Sequence, residues 1–474
     1  MSRKRSHSAM KPLVLPLCTN SCSTKRPKLQ VSYLLSARRR LVLLSYQIVM
    51  RALQLVLPIK LAKRARQEPG YAWHVSARMG RYSGPSVSHH PWMWVHAVSL
   101  GETRASAALV AALRVAHPHV KLLLTHGTAT GLQAGKDLLR DGDQQTWLPW
   151  DSASAVNGFL KHYKPRFGVL METEVWPQLC LSCVAQQVPL FVVNARMSQR
   201  SLEKAQRLVT LSHMAFGALA GVVAQTNDDA QRLAVLGANV LGVVGNIKFD
   251  MQLNDVQVAS GVNAAQRTDK PIVMLASSRS GEEVLWLQAV AQLPAAQRDA
   301  VQWMLVPRHP QRVDEVDGLL RQAGWQVSKR SQWQATDRLH TDPTRCHVPA
   351  PDIRSVWLGD TLGEMAMYYA MSQVAVLGGS FEPLGGQNLI EAAACGCVVV
   401  AGPHTFNFVQ ATEHAIQAQA CVRVENMAGA VKMAVELVSN EKGLQDRSKA
   451  AKAWIENHRG AAVRTVGLLP YSPA

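Results

Sequence analysis

The stretch from Trp92 to His126, WMWVHAVSLGETRASAALVAALRVAHPHVKLLLTH, decides the fold. "WMWVHAV" is a short apolar run without polar alternation, which reads as a strand covered on both faces. "ETRASAALVAALRVAHP" carries apolar residues at helical spacing, and "VKLLLTH" is a second continuous strand. Strand, helix and strand in succession, with no polar face on either strand, predict parallel pairing beneath covering helices. The pattern extends through "FGVLMET", "LFVVNAR" and "GVVAQ". It restarts after about residue 250 with "IVMLAS", "WMLVPRH", "VWLGD", "VAVLGG" and "VVVAG", with a helical stretch after each of the first four. Two such series predict an α/β chain of two doubly wound, Rossmann-like domains facing a cleft.

Charge divides the chain differently. Its 474 residues carry a formal +18, yet Met1–Tyr82 alone holds 17 Lys/Arg against Glu68, a net +16. That leaves only +2 for everything beyond. A basic end on a balanced body fits contact with an anionic surface. Residues 1–40 are rich in Ser, Lys, Arg and Pro and are expected to be disordered; no secretory signal is visible. Residues 41–66 read as a membrane-associated helix. Its polar positions Gln47, Arg51, Gln54 and Pro58 are spaced 4, 3 and 4, so they share one face, and the rest of the circumference is apolar. A spanning helix would put Arg51 near mid-bilayer at about 2.5–3.5 kcal/mol, and basic runs flank both ends. An in-plane or re-entrant helix on an anionic leaflet is therefore preferred to a span. The competing readings are an ordinary core helix and, least supported, a nucleic-acid surface, since the aromatic residues that stack on bases are missing.

The remaining boundaries follow: 67–250 as the first domain, the polar run 251–270 as a linker, and 271–474 as the second domain with a C-terminal helix. Eight cysteines in a chain of this length read as reduced thiols. Cys180 and Cys183 make a lone C-x-x-C without a second zinc-spaced pair, so two half-buried helix residues are expected rather than a metal site.

In open parallel sheets, ligands sit beyond the carboxyl ends of the strands, and here those ends are polar or glycine-rich. "VSLGETRAS" places Glu102 in the first turn of a helix, as a plain helix-start charge or as a general base. "METEVWP" sets Glu172 and Glu174 two apart, pointing the same way if extended, with Arg196 and Lys248 as candidate cationic partners. Lys248 of "GNIKFD" and Arg308 of "LVPRHPQR" suit a leaving phosphate. "GDTLGEM" and Gly378–Phe408, GGSFEPLGGQNLIEAAACGCVVVAGPHTFNF, open helices with glycine, so backbone N–H groups can meet an anion while Glu364 and Glu391 accept from ribose hydroxyls. Gly378, Gly379, Ser380 and Arg279 border the same site. Neither loop is a Walker A or a G-x-G-x-x-G, which argues against ATP hydrolysis and dinucleotide redox chemistry.

Together "HAVSLGET", "METEVWP", "VNARMSQRS", "GNIKFD", "VPRHPQR", "GDTLGEM" and the Gly378–Phe408 stretch resemble the 3-deoxy-D-manno-octulosonic acid (Kdo) transferases, in order and over some nine-tenths of the chain. The resemblance implies a GT-B fold without a metal or other cofactor, an N-terminal membrane anchor, and transfer of Kdo from the nucleotide sugar CMP-Kdo to a lipid A precursor. It implies the cytoplasmic face of the bacterial inner membrane, with lipid, membrane surface and nucleotide sugar, but no nucleic acid, as partners. By motif position it implies Glu102 as base and Glu172 and Lys248 as transition-state stabilisers. CMP contacts are implied for Pro307-Arg308, Leu362-Gly363-Glu364 and Asn388-Leu389-Ile390-Glu391. This sequence departs from the family at Ser278-Arg279, where Thr-His is usual, at Gln387, where His is usual, and at "NLIE", where Asn-Pro-Leu-Glu is usual. Two other readings are another GT-B nucleotide-sugar enzyme, such as an epimerase, and a non-catalytic membrane-bound relative.

Overall fold

Successive residues of the first strand point to opposite sides, and both sides are buried. Trp92 and Trp94 pack with Phe159, Leu160, Leu179 and Cys180, while Met93 and Val95 pack with Ala105, Leu109 and Leu113. Continuous apolar runs are the consequence of a sheet covered on both faces. The computed structural model describes residues 37–66, 68–82, 91–333 and 354–470; most of the basic extension therefore lies outside the described residues.

Seven parallel strands form the first sheet: β1 Trp92–His96, β2 Lys121–His126, β3 Gln144–Trp147, β4 Phe167–Met171, β5 Leu190–Ala195, β6 Gly221–Ala224 and β7 Val240–Val243. Seven more form the second: β8 Ile272–Ser278, β9 Gln302–Pro307, β10 Gln326–Lys329, β11 Ser355–Leu358, β12 Val374–Leu377, β13 Val398–Ala401 and β14 Cys421–Arg423. The orders are β3-β2-β1-β4-β5-β6-β7 and β10-β11-β9-β8-β12-β13-β14. Each sheet reverses direction once, at β1/β4 and at β8/β12. A crevice opens beyond the carboxyl ends at such a switch point, because the flanking connections leave on opposite faces. Two doubly wound sheets are what the sequence predicts.

The polar run expected as a linker holds a helix, Asp255–Ala265, capped by Asn254, whose Ala264 joins the second unit's core. The chain also returns at its end. Helix Ala461–Leu468 places Ala461 and Ala462 in the core of the first sheet, beside the helix Leu100–Ala116. Asp250 fixes that return, its carboxylate accepting from the N–H groups of Gly460 and Ala462, both at 2.5 Å.

The N-terminal helix, Ala37–Ala65, is long and apolar enough to cross a membrane, yet it is docked on the first unit. Met50, Leu57 and Leu61 are buried. Tyr46 donates to Asp151 at 2.7 Å, and Gln47 to Gln178 at 2.7 Å. The polar stripe thus divides: Gln47 and Gln54 bond to the body, Gln54 through Met79 Sδ, and Arg51 is exposed at its flank. Leu41, Leu44, Ile48, Leu55 and Ile59 lie on the outward side, each more than half exposed. The inward side combines Gln47 and Gln54 with Met50, Leu57 and Leu61, while an apolar side faces outward, the reverse of a water-facing surface helix, and this fits membrane association.

Cys180 and Cys183 are fully buried rather than half-buried. Burial pushes both thiols above the usual range, so they behave as core residues.

Candidate active site

Glu102 opens the helix Leu100–Ala116 directly after β1, at the switch point of the first sheet. Ser99 is the N-cap, and Ser99-x-x-Glu102 forms a capping arrangement. The Val98 N–H donates to Glu102 Oε2 at 2.8 Å and the Ser99 hydroxyl to Oε1 at 3.2 Å. The carboxyl is half-buried. Burial pushes its pKa up to about 7, against the Val98 hydrogen bond and with added repulsion from Glu172 and Glu174. An acid held there is ionised about half the time near neutrality, the condition that suits a general base.

Glu172 follows β4, on the other side of the same switch point. It is not extended: its φ of 60° turns the chain, so Glu172 and Glu174 do not project together as strand neighbours. Lys248 Nζ lies 2.7 Å from Glu172 Oε1, an ion pair by distance though not aligned as a hydrogen bond. The Trp176 indole donates to Glu174 at 2.9 Å, and burial raises the Glu174 pKa. Arg196 takes a different partner from the one expected, donating to the Asn407 carbonyl of the second unit at 3.1 Å. Lys248 Nζ sits 5.8 Å from the Phe408 ring. Both contacts bring the end of the Gly378–Phe408 stretch against the first unit's cations.

The second switch point, between β8 and β12, carries Ser278-Arg279 and Gly378-Gly379-Ser380. Gly378 is required by close approach: a Cβ there would stand 2.4 Å from the Ser277 carbonyl oxygen. The Arg279 guanidinium meets His309 Nε2 at 3.2 Å. His309 is held below its usual pKa, first by burial and then by Arg308, Arg279 and Arg312, so a neutral ring accepts that bond. Pro307 ends β9 and is buried. The Arg308 pKa is lowered by desolvation first and then by Arg279 and Arg104.

Of the remaining predicted contacts, Leu362 is 78% exposed. Gly363, at φ 85°, offers its carbonyl to Gln257 at 2.9 Å. Glu364 is engaged by Arg330 at 3.0 Å and by the Thr361 hydroxyl. Asn388 Oδ1 accepts from the Ile390 N–H at 3.1 Å; Leu389 and Ile390 are core residues. Glu391 lies in the first turn of Ile390–Cys395, its pKa raised by burial and opposed by Arg104. Arg51, on the N-terminal helix, forms no part of this cluster. Among the described residues no group of three His, Cys, Asp or Glu is placed to hold a metal ion.

Relatives bear on this geometry. A family model described as 3-Deoxy-D-manno-octulosonic-acid transferase (kdotransferase) matches residues 74–251. The 3-deoxy-D-manno-octulosonic acid transferase of Bordetella pertussis is 41% identical over 435 residues, covering 90% of this chain and 98% of that one. The chain belongs to the Kdo transferase family. The transferase of the same name from Haemophilus influenzae is 31% identical, covering 85% of this chain and 93% of its own. Among solved structures, a UDP-GlcNAc 2-epimerase from Neisseria meningitidis matches with a TM-score of 0.53 at 14% identity, over 80% of this chain and 99% of that one. A glycosyltransferase from Rickettsia africae matches at 0.52 and 13%, over 81% and 100%. These likenesses concern fold, and they agree with the GT-B arrangement.

Three residues of this Kdo transferase family member bear on the site without a role having been read for them in the sequence. Glu282, fully buried, accepts from the N–H groups of Gly379 at 2.7 Å, Arg279 at 2.9 Å and Phe381 at 3.1 Å. It clamps the two arms of the second switch point, and burial raises its pKa despite those bonds. Asn194, left-handed at φ 52°, accepts from the Ile247 N–H at 2.9 Å and so seats the turn that carries Lys248. Arg104 lies two residues beyond Glu102, within electrostatic reach of Glu391 and Arg308. Glu282 could have been found as an acid in the first turn after a strand; the other two need three-dimensional placement.

Proposed function

We propose that this protein transfers Kdo from CMP-Kdo to lipid IVA, a lipid A precursor, with inversion at the anomeric carbon, on the cytoplasmic face of the bacterial inner membrane. One observation carries the reading: a half-buried Glu102, tuned to about 7, stands at the switch point of one sheet, while Arg279, Arg308 and the glycine turn occupy that of the other. Base on one lobe and anion site on the other suit a displacement with attack and departure on opposite sides.

In this reading the first unit, 67–250, receives the acceptor and the second, 271–474, the nucleotide sugar. Glu102 takes the proton from the acceptor hydroxyl as its oxygen bonds to the anomeric carbon. The bond from that carbon to the phosphate oxygen breaks, and CMP leaves with the electron pair toward Arg308. Charge on the departing phosphate is offset by Arg308 and Lys248. Glu172, held by Lys248, faces the positive charge that develops on the sugar ring. Pro307, Leu362–Glu364 and Asn388–Glu391 surround the cytidylate, with Leu362 contributing through its backbone. The membrane helix keeps the cleft at the surface where the acceptor resides.

Mass spectrometry of a tetraacyl lipid A precursor, incubated with the purified protein and CMP-Kdo, tests this directly. A mass increase of one or more Kdo units is expected. An unmodified lipid together with a converted or hydrolysed sugar nucleotide would overturn the transferase reading.

A further inference from the structure

Two of the twelve tryptophans are more than a third exposed, Trp73 and Trp176. Trp73 packs on His74, with ring centroids 4.3 Å apart, and against Trp147 at 6.3 Å. Trp176 has no ring or cation against it among the described residues. Its indole N–H donates to Glu174 Oε2 at 2.9 Å, which fixes the ring. The backbone beneath is equally constrained. Pro177 opens the helix Pro177–Ala185, and the Asp151 carboxylate accepts from the Gln178 and Leu179 N–H groups at 3.0 and 2.8 Å. The Cys180 N–H donates to the Trp176 carbonyl at 3.0 Å. A broad apolar surface is therefore held in one place and left partly open to solvent. Glu174 is open too: it makes no ion pair among the described residues and its second oxygen has no partner there, whereas Glu172 is held by Lys248 at 2.7 Å.

Trp176 lies between the N-terminal helix and the proposed reacting centre. On one side, Gln178 accepts from Gln47 of the helix Ala37–Ala65 at 2.7 Å, and Tyr46 of that helix donates to Asp151. On the other, Glu172 follows β4, which pairs with β1 in a register that sets Leu170 beside His96, and Glu102 opens the helix after β1. Loops that leave the carboxyl ends of neighbouring strands start about 5 Å apart. The segment 172–176 thus runs from the centre toward the helix whose apolar side faces outward. An acceptor drawn from a membrane surface meets that segment on its way in. The proposed acceptor carries a phosphorylated disaccharide of glucosamine. A pyranose ring has an apolar C–H face edged with hydroxyl and amide N–H donors, and an indole face beside an open carboxylate oxygen complements both. Phosphate is disfavoured at the same spot, because Glu174 has like charge and no cation beside it. We infer that Trp176 and Glu174 form the subsite for a glucosamine ring of the acceptor, with the ring lying on the indole and a hydroxyl or amide N–H donating to Glu174.

This assignment rests on the proposed transferase reading, and it has its own kinetic signature. A sugar ring stacked on the indole is held in the ground state and the transition state alike. Uniform binding shows in KM, not kcat. With the tetraacyl lipid A precursor dispersed in detergent, Trp176→Ala should raise the acceptor KM about 10- to 100-fold, the loss of one aromatic anchor. In that variant kcat should change by no more than about threefold, and neither the donor KM nor CMP affinity by calorimetry should move. Trp176→Phe keeps an aromatic face and loses the N–H, and should recover most of the affinity. Sedimentation with vesicles containing phosphatidylglycerol should be the same for wild type and Trp176→Ala. An acceptor KM unchanged in Trp176→Ala overturns the assignment. So does a fall in kcat with the acceptor KM unmoved, which would make the tryptophan a support for Glu172 on the same segment. A loss confined to vesicle sedimentation also overturns it and would make Trp176 a lipid anchor. Failure of the wild-type protein to modify the lipid is a separate result and defeats the transferase reading itself.

Discussion

At the scale of single residues, the carboxyl group proposed as the base gives activity and stability an expected dependence on pH. Glu102 is pushed up to about 7 by burial, with Glu172 and Glu174 adding to the shift. As a base it acts only when ionised, so kcat/KM should rise with pH and level off above about 7. The same shift bears on stability with the opposite sense. The folded pKa lies above the unfolded one, so its contribution is fully present below the ordinary carboxyl value and is lost as pH rises through about 7. Glu102→Gln is permanently neutral and can still accept from Val98. It should transfer about 10²–10⁴-fold more slowly, bind CMP normally, and melt no lower than wild type at pH 8. A variant that keeps its rate, or one that loses CMP binding, would remove Glu102 from the role of base. The acids and cations beside strand ends were legible because chemistry collects there in any parallel sheet. Arg104 was not: as the fifth residue of the helix Leu100–Ala116, it looks like surface charge until the second lobe is in place.

At the scale of elements, the ten strands read from sequence are the ten inner strands, and the four missed, β3, β7, β10 and β14, are the four sheet edges. The reason is physical. An inner strand is covered on both faces and must be a continuous apolar run. An edge such as QVSK at β10 or VLGV at β7 is half-exposed along most of its length and carries no such pattern. Loop geometry was hidden for a related reason. Glu172 and Asn194 adopt positive φ at strand ends, a strain of about 1–3 kcal/mol each for non-glycine residues. Asn194 holds it through the bond to the Ile247 N–H. Asn194→Ala should therefore destabilise by about 2–4 kcal/mol, combining an orphaned N–H with the loss of the polar side chain that makes the left-handed region tolerable to asparagine. Asn194→Gly loses the bond but not the conformation, and should be about 1 kcal/mol less damaging. Urea denaturation distinguishes the two. Equal midpoints would mean that the backbone there relaxes without cost. Both variants should also slow transfer, because the turn bearing Lys248 loses its anchor.

Across the whole molecule, the uneven charge and the N-terminal helix act together. The amphipathic spacing was readable in the sequence; which side meets the body was not, because a polar stripe can face water or bond to a protein surface equally well. Here Tyr46 and Gln47 bond to Asp151 and Gln178, leaving Ile48 at 66% and Leu55 at 80% exposure on the opposite side. That apolar side, beside a segment of net +16, matches a lipid surface with anionic headgroups. Replacing Ile48 and Leu55 together by Glu touches no packed contact, so the fold should be kept. Each apolar side chain lost from the lipid interface removes about 1.5–3 kcal/mol, and the new charges are repelled by the headgroups. Affinity for vesicles containing phosphatidylglycerol should fall by about 100-fold or more, while turnover of detergent-dispersed acceptor is retained. High salt should weaken wild-type binding only in part, since screening acts on the basic residues and not on the apolar side. If the double variant still sediments with vesicles and salt alone releases it, the helix contributes charge and not insertion, and the outward apolar side needs another partner.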